Sequence, residues 1–284
     1  MTAVLEQRSV RICEPANGEP VDTIATADAG QVEQAIRRAR TYQKQWASVS
    51  SDARVRLIKA WRDGLVRQGV ELAALLSREN GKPYHEALLH EVVALSDMFD
   101  YIATTAPELQ APQTLTARWF KHRAHRVARK PRGVAVVLSP FNFPLLIPGA
   151  DAGAALAMGC CVIIKPSLAC PLIADRLVQL AHAAGIPEPA LQILHGDADV
   201  GQALVAGDVD EVLFTGSTDN GRKVARQCGE DLKLCQLELG GNCPLVVLPD
   251  ADLDRTAHAI MYGAFANSGQ SCLAVGRVLV PSHL

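Results

Sequence analysis

The apolar positions along the chain change rhythm twice. From Asp28 to about Ala106 they recur at helical spacing. The run 52-DARVRLIKAWRDGLVRQ-68 sets Ile58, Trp61 and Leu65 at i, i+3 and i+7, with charges on the opposite face. Asn80-Gly81-Lys82-Pro83 stops one helix, and a second helical pattern follows over 84–103. Beyond Gly133 the rhythm becomes strand, turn, helix, repeated. Strand-like apolar runs stand at 134–139, 161–165, 191–194, 211–215 and 245–248, with helical stretches such as 171–184 between them. Continuous apolar strands alternating with helices predict an α/β fold, a Rossmann-like parallel sheet with helices on both faces, preceded by an N-terminal helical segment. In such sheets ligands bind outside the carboxyl ends of the strands, so function is sought there.

The segment 114–134 breaks the pattern. Between Arg118 and Arg132 it holds seven Lys or Arg and two His, with no acid. Such a strip either binds nucleic acid or forms an edge hairpin whose cationic side chains deter edge pairing; the hairpin is the reading preferred. The chain as a whole carries a formal charge of only −2, so no nucleic-acid partner is expected of it. The most apolar stretch, 134–164, is interrupted by Pro140, Asn142, Pro144, Pro148 and Asp151, so no membrane span is predicted. The amino terminus lacks the long apolar core of a secretory leader. Eight cysteines, at 13, 160, 161, 170, 228, 235, 243 and 272, include no Cys-x-x-Cys pair and no His at zinc spacing. They read as reduced thiols in a cytoplasmic protein without a metal site, seven of them in the core, with Cys272 the exception to be argued.

Five strand ends carry candidate chemistry. Asn142, in 139-SPFNFP-144, either donates to a developing oxyanion or satisfies turn backbone. Lys165, in 165-KPS-167, closes an apolar strand that Pro166 prevents from continuing. It either reaches a ribose or phosphate or snorkels to solvent. In 214-FTGSTDNGRKV-224, Gly216 and Gly221 allow close backbone approach and Ser217 opens a helix, an arrangement suited to a pyrophosphate or to an ordinary capped turn. Glu238, between Leu237 and Leu239 and before Gly240-Gly241, is a general base if burial raises its pKa, or a surface strand acid. Cys272, in 269-GQSC-272, is a loop thiol that becomes a nucleophile only if its surroundings activate it.

Together, Pro-Phe-Asn-Phe-Pro at 140–144, Ile-Lys-Pro-Ser at 164–167, Phe-Thr-Gly-Ser-Thr at 214–218, Leu-Glu-Leu-Gly-Gly at 237–241 and Gly-Gln-Ser-Cys at 269–272 resemble the aldehyde dehydrogenase superfamily. The resemblance covers nearly the whole chain. It implies that Cys272 attacks an aldehyde, that the Asn142 amide and the Cys272 N–H hold the oxyanion, and that hydride passes to NAD or NADP. Glu238 would then activate water against the resulting thioester. Lys165 and Ser167 would lie at the adenosine ribose, and Gly216, Ser217 and Gly221 at the pyrophosphate. It also implies homo-oligomers bridged through the basic hairpin.

The resemblance has departures. Leu168 stands where many NAD-preferring members carry a Glu, which tilts the expectation toward NADP tolerance. Asp197 and Ala198 replace glycine on the cofactor side, and Phe141 replaces a common Trp. The chain ends twelve residues after Cys272, where family members continue. The expected organisation is a cofactor-binding domain from 1–115 and 133–241, a bridging hairpin at 116–132, and a truncated catalytic domain beginning at 242–284. Two other functions stay open at this level. One is a truncated nucleotide-binding remnant or interaction protein without turnover; the other is thioester transfer to coenzyme A, against which Glu238 argues.

Overall fold

In the computed structural model, residues 9–116, 118–119 and 121–284 are described. Part of the amino-terminal stretch argued above to be no secretory leader lies outside them, as do Ala117 and Phe120 of the basic segment. The described chain opens with an antiparallel hairpin, β1 (Ser9–Cys13) and β2 (Pro20–Ala25), which the helical reading of the sequence did not include. Four helical elements follow: α1 (Ala29–Ser48), α2 (Ser51–Arg67), α3 (Gly69–Asn80) and α4 (Tyr84–Ala87). Asp28 and Gln31 close a capping box on α1, and Ser50 caps α2. Gly81, at φ 81°, ends α3 in the left-handed conformation that glycine adopts without strain. A π-helical turn, Leu88–Val93, joins α4 to α5 (Ala94–Gln110), so the helix expected over 84–103 carries a bulge.

The basic segment contains β3 (Gln113–Leu115) paired antiparallel with β4 (His125–Val127), all six residues exposed and separate from the main sheet. The main sheet then builds as β5 (Val134–Leu138), α6 (Leu146–Ala157), β6 (Cys161–Lys165), α7 (Pro171–Ala183), β7 (Leu191–Ile193), α8 (Ala198–Ala206), β8 (Glu211–Gly216), α9 (Thr218–Glu230) and β9 (Leu234–Leu239). Its order is β7-β6-β5-β8-β9, parallel throughout, with β5 wholly buried at the centre. This is a doubly wound sheet, and the chain reverses direction across it between β5 and β8. The final segment is β10 (Cys243–Val246), α10 (Leu253–Phe265), a 3-10 turn (Ala266–Gly269) and β11 (Val275–Leu279).

Two expectations need correction. The run at 245–248 does not supply the fifth strand of the main sheet. β9 does, and β10 pairs parallel with β11 in a sheet of its own, because Gly240, Gly241 and Asn242 turn the chain away. The seven cysteines other than Cys272 are not all core. Cys160, Cys161, Cys170 and Cys228 are buried, whereas Cys13 and Cys235 are exposed and Cys243 is half-buried. Cys13 ends a peripheral hairpin, and Cys235 lies on the edge strand.

Among the described residues no helix is long and apolar enough to cross a membrane. The core lies where α2, α5 and α6 meet beneath the sheet. There the Trp61 and Phe99 rings sit 4.6 Å apart, both fully buried. Gly153 lets α6 approach Phe99, since a Cβ at that position would come within 2.7 Å of the ring. Phe99→Ala is expected to cost ~3–5 kcal/mol through the cavity it leaves. Gly153→Ala is expected to cost ~1–3 kcal/mol through overpacking. Urea unfolding monitored by Trp fluorescence measures both.

Candidate active site

The site is assembled by polar side chains that the fold buries beneath the β5–α6 turn. Lys82, fully buried, forms an ion pair with the equally buried Glu91 on the π-helical turn. The same ammonium donates to the Asn142 carbonyl oxygen at 2.8 Å and stands 4.8 Å over the Phe143 ring. Glu91 uses its other oxygen to accept from the Leu145 and Leu146 N–H groups, at 3.0 and 2.8 Å, where α6 begins. A helix start has free N–H groups and a partial positive charge, so a carboxylate there satisfies both. Burial pushes the Glu91 carboxyl up from its ordinary range, while Lys82 and the two amides pull it back. Asn80 adds a bond from Nδ2 to the Phe141 carbonyl at 2.7 Å. Glu79 accepts from Leu172 and Ile173 at the start of α7, at 2.7 and 3.0 Å, and burial pushes its pKa to about 7.

These bonds determine what Asn142 can do. Its backbone carbonyl is held, while its side-chain amide has no hydrogen-bond partner among the described residues. The alternative in which Asn142 satisfies the turn with its side chain is therefore not what the geometry holds.

The loop carrying Cys272 is tied to the same turn. Asn267, in the 3-10 turn after α10, donates from Nδ2 to the Asn142 carbonyl at 3.1 Å and to the Gln270 carbonyl at 3.3 Å. Its backbone N–H is held by the Glu86 carboxylate, and the Ser268 hydroxyl reaches the Gly81 carbonyl at 3.3 Å. Cys272 itself is exposed. Its backbone oxygen accepts from the Cys243 thiol at 3.6 Å, which connects this loop to the start of β10.

Glu238 reaches the sheet's carboxyl end by register. It pairs with Thr215, and Leu239 pairs with Gly216, so the acid stands beside the β8–α9 turn. It is exposed, so the burial that would raise its pKa is not present here; among the described residues β9 is an edge strand with no neighbour beyond it. Asp151, on α6, is a half-buried acid near this corner. Burial pushes its pKa up to about 7, and the Glu238 and Glu211 carboxylates add repulsion.

The nucleotide-side candidates lie along the same sheet edge. Ser217 caps α9 and accepts from Asn220 N–H at 3.4 Å. Gly221 is needed for packing, because a Cβ there would come within 2.5 Å of Leu239. Lys165 donates to the Pro166 and Gly196 carbonyls, both at 2.9 Å, which joins the ends of β6 and β7. Burial lowers its pKa, and Asp197 and Asp199 oppose that. Ser167 accepts from Ala169 N–H at 3.3 Å. Lys165 and the first turn of α9 stand at the carboxyl ends of β6 and β8, parallel strands on either side of β5, a placement that suits an anionic ligand. Among the described residues no cluster of His, Cys, Asp or Glu could hold a metal ion.

The structure thus gathers Asn142 and the Cys272 loop through Asn267, and Glu238 with Gly216 and Ser217 through strand register. Glu79, Asn80, Lys82, Glu86, Glu91 and Asn267 are the residues that sequence reasoning missed. Lys82 stood in a segment read only as a helix stop, and nothing in its spacing separates a buried lysine from a surface one.

A family model described as the aldehyde dehydrogenase family matches residues 4–284. Glutarate-semialdehyde dehydrogenase of Pseudomonas putida is 32% identical over 275 residues, covering 96% of this chain and 57% of that protein. The mitochondrial succinate-semialdehyde dehydrogenase of Oryza sativa subsp. japonica is 34% identical over 278 residues, covering 96% and 52%. Among solved structures, an NAD+ complex of aldehyde dehydrogenase from Bacillus cereus superposes with a TM-score of 0.93 at 32% identity, covering 97% of this chain and 56% of that one. The chain spans about half the length of the curated relatives it matches.

Two outcomes follow from the buried charges. Lys82→Ala strands Glu91 without its cation and is expected to cost ~3–5 kcal/mol in urea unfolding. Asp151 and Glu79 bind protons more tightly folded than unfolded, so between about pH 4 and pH 7 they make stability fall as pH rises. Asp151→Asn is therefore expected to raise the melting temperature relative to wild type at pH 8 and to change it little at pH 4. Equal shifts at both pH values would contradict a raised Asp151 pKa.

Proposed function

Because the chain belongs to the aldehyde dehydrogenase family, we propose that it carries the cofactor site and the nucleophile of an enzyme that oxidises an aldehyde to a carboxylic acid with NAD or NADP. The observation that supports this most is a pair of uncommitted donors on two segments that are tied together. Neither the Asn142 side-chain amide nor the Cys272 N–H has an acceptor among the described residues, and Asn267 ties their two segments together.

In this reading residues 1–115 and 133–241 form the cofactor-binding domain, and 242–284 contribute to the catalytic domain. The Cys272 thiolate attacks the carbonyl carbon, and the oxygen that becomes an oxyanion takes hydrogen bonds from Asn142 Nδ2 and the Cys272 N–H. Such donors act on charge that exists only along the reaction path, which lowers the barrier instead of merely tightening substrate binding. A nicotinamide cofactor, when bound, would supply the hydride acceptor, and loss of that hydride would leave a thioester at Cys272. Glu238, at the sheet edge, takes a proton from water, which attacks the thioester and releases the acid and the thiol.

The cofactor would be held with its pyrophosphate at the first turn of α9, by Ser217 and the backbone at Gly216, with Gly221 permitting the approach of the helix. Lys165 and Ser167 would face the adenosine ribose. Leu168 cannot repel a 2′-phosphate as a carboxylate would, so both cofactors are accepted. The segment 116–132, which carries β4 and pairs back onto β3 just before it, would bridge subunits of a homo-oligomer, its basic residues resting on a partner copy. The compartment is the cytoplasm, in keeping with eight free thiols.

The test is NAD(P)H formation by the protein with an aldehyde, followed at 340 nm. Cys272→Ala is expected to form none. Glu238→Gln is expected to give one fast equivalent of NAD(P)H and then stall at the thioester, while normal turnover would remove Glu238 from the role of base. Cofactor binding with no adduct at Cys272 would instead support a nucleotide-binding protein without turnover, and product formation that requires coenzyme A would support thioester transfer. In equilibrium binding, the Kd values for NAD and NADP are expected within about tenfold of each other, a difference worth ~1.4 kcal/mol.

A further inference from the structure

We infer that Asn267 is a positioning residue that locks the turn bearing Asn142 to the loop bearing Cys272, so that both oxyanion donors converge on one point. The inference rests on the catalytic reading of Cys272 given above, and it assigns a role to a side chain outside the five segments that suggested that reading.

Three observations carry it. First, Asn267 is only 1% exposed, and its Nδ2 bonds two carbonyl oxygens, of Asn142 and Gln270. Carbonyl oxygens only accept, so the orientation of the amide is fixed by its partners. One of those partners belongs to the Asn142 turn and the other to the residue two before Cys272. The amide thus spans the gap between the segments it would align.

Second, this placement leaves Asn267 Oδ1 buried without a partner, an arrangement that a purely structural residue would avoid. An apolar side chain of similar size would satisfy packing without stranding an acceptor. What it could not supply is the pair of N–H donors.

Third, the backbone is held in an unfavourable shape. Asn267, Ser268 and Gly269 have φ of 59°, 56° and 73°, three left-handed residues in a row, of which only the last is glycine. Side chains resist that region, asparagine less than most. The shape persists because Glu86 holds the Asn267 N–H and Ser268 holds the Gly81 carbonyl. Strain of this kind, maintained by several independent bonds, collects where a segment must be aimed. The Asn142 carbonyl is also held from the other side by Lys82 at 2.8 Å, so the amide of Asn267 grips an anchored point.

The prediction separates aim from mere integrity by using two reagents on the same sulfur. With 4-nitrophenyl acetate, the Cys272 thiolate forms a bond to the acetyl carbon and the carbonyl oxygen becomes an oxyanion. The ester C–O bond then breaks, releasing 4-nitrophenolate and leaving an acetyl thioester. With iodoacetamide, sulfur displaces iodide directly and no oxyanion forms. Only the first reaction needs the converging donors.

Both rates are measured at Cys272 by peptide mass mapping of the full chain. Asn267→Gly keeps the left-handed backbone and removes the amide; Asn267→Ala removes the amide with a stiffer chain. Loss of one oxyanion donor slows acyl transfer by about 10²–10³. Each variant is expected to slow acylation at least tenfold and to leave alkylation within about twofold of wild type. Asn142→Ala should show the same pattern, and combining it with Asn267→Gly should slow acylation no further, because both act on one interaction.

Wild-type acylation rates in both Asn267 variants would overturn the inference alone. So would acylation and alkylation falling together, which would mark a loop that had simply lost its structure, or independent, multiplying losses in the double variant. If wild-type Cys272 is acylated no faster than exposed Cys13, the catalytic reading of Cys272 falls, and this inference with it.

Discussion

The structure around the candidate site depends on one buried ion pair. Taking a lysine and a glutamate out of water costs several kcal/mol each, and their mutual attraction offsets this only when their remaining hydrogen-bonding capacity is also used. Here it is used. Lys82 holds the Asn142 carbonyl, and Glu91 holds the two N–H groups that open α6. The pair thus joins the π-helical turn, the segment after α3 and the β5–α6 turn at one point. A hydrophobic pair of the same volume could fill the space but could not grip that backbone.

From that point the order of dependence runs outward. The anchored carbonyl of Asn142 leaves its side-chain amide without a structural task, and Asn267 uses the same carbonyl to locate the Cys272 loop. On the other side of β5, strand register alone brings Glu238 to the β8–α9 turn. The two halves obey different physics. The nucleophile side is held by buried polar bonds between loops, whereas the nucleotide side follows from the geometry of parallel strands and a capped helix. That difference explains why Glu238 can stand exposed on β9 while Lys82, Glu91 and Asn267 are buried.

The same difference governs what could be read from the sequence. Uniformly apolar runs such as 134–138 and 161–165 announce a parallel sheet, because burial on both faces leaves no alternation. The turns that follow them could be marked as candidate chemistry by residue type. The sheet's fifth strand was harder, since Leu234–Leu239 mixes polar and apolar residues in the manner of an edge, and the apolar run at 245–248 drew attention from it. The β1–β2 hairpin escaped because only Ile12 and Ile24 of its residues are buried, too few to form a pattern. Lys82, Glu91 and Asn267 escaped for another reason. A buried polar residue is defined by its partners, and those partners lie up to 181 residues away along the chain. Local spacing carries no trace of them, so only the five motif segments, through resemblance, pointed to this corner of the fold.

The claim that the Lys82–Glu91 pair fixes the Asn142 turn is tested most directly by native-state hydrogen exchange at the Leu145 and Leu146 amides. If Glu91 holds them as described, both should exchange as slowly as amides of central strand β5 in the wild-type chain and become markedly faster in Glu91→Gln. Rates typical of a solvent-exposed turn in the wild-type chain would contradict the account.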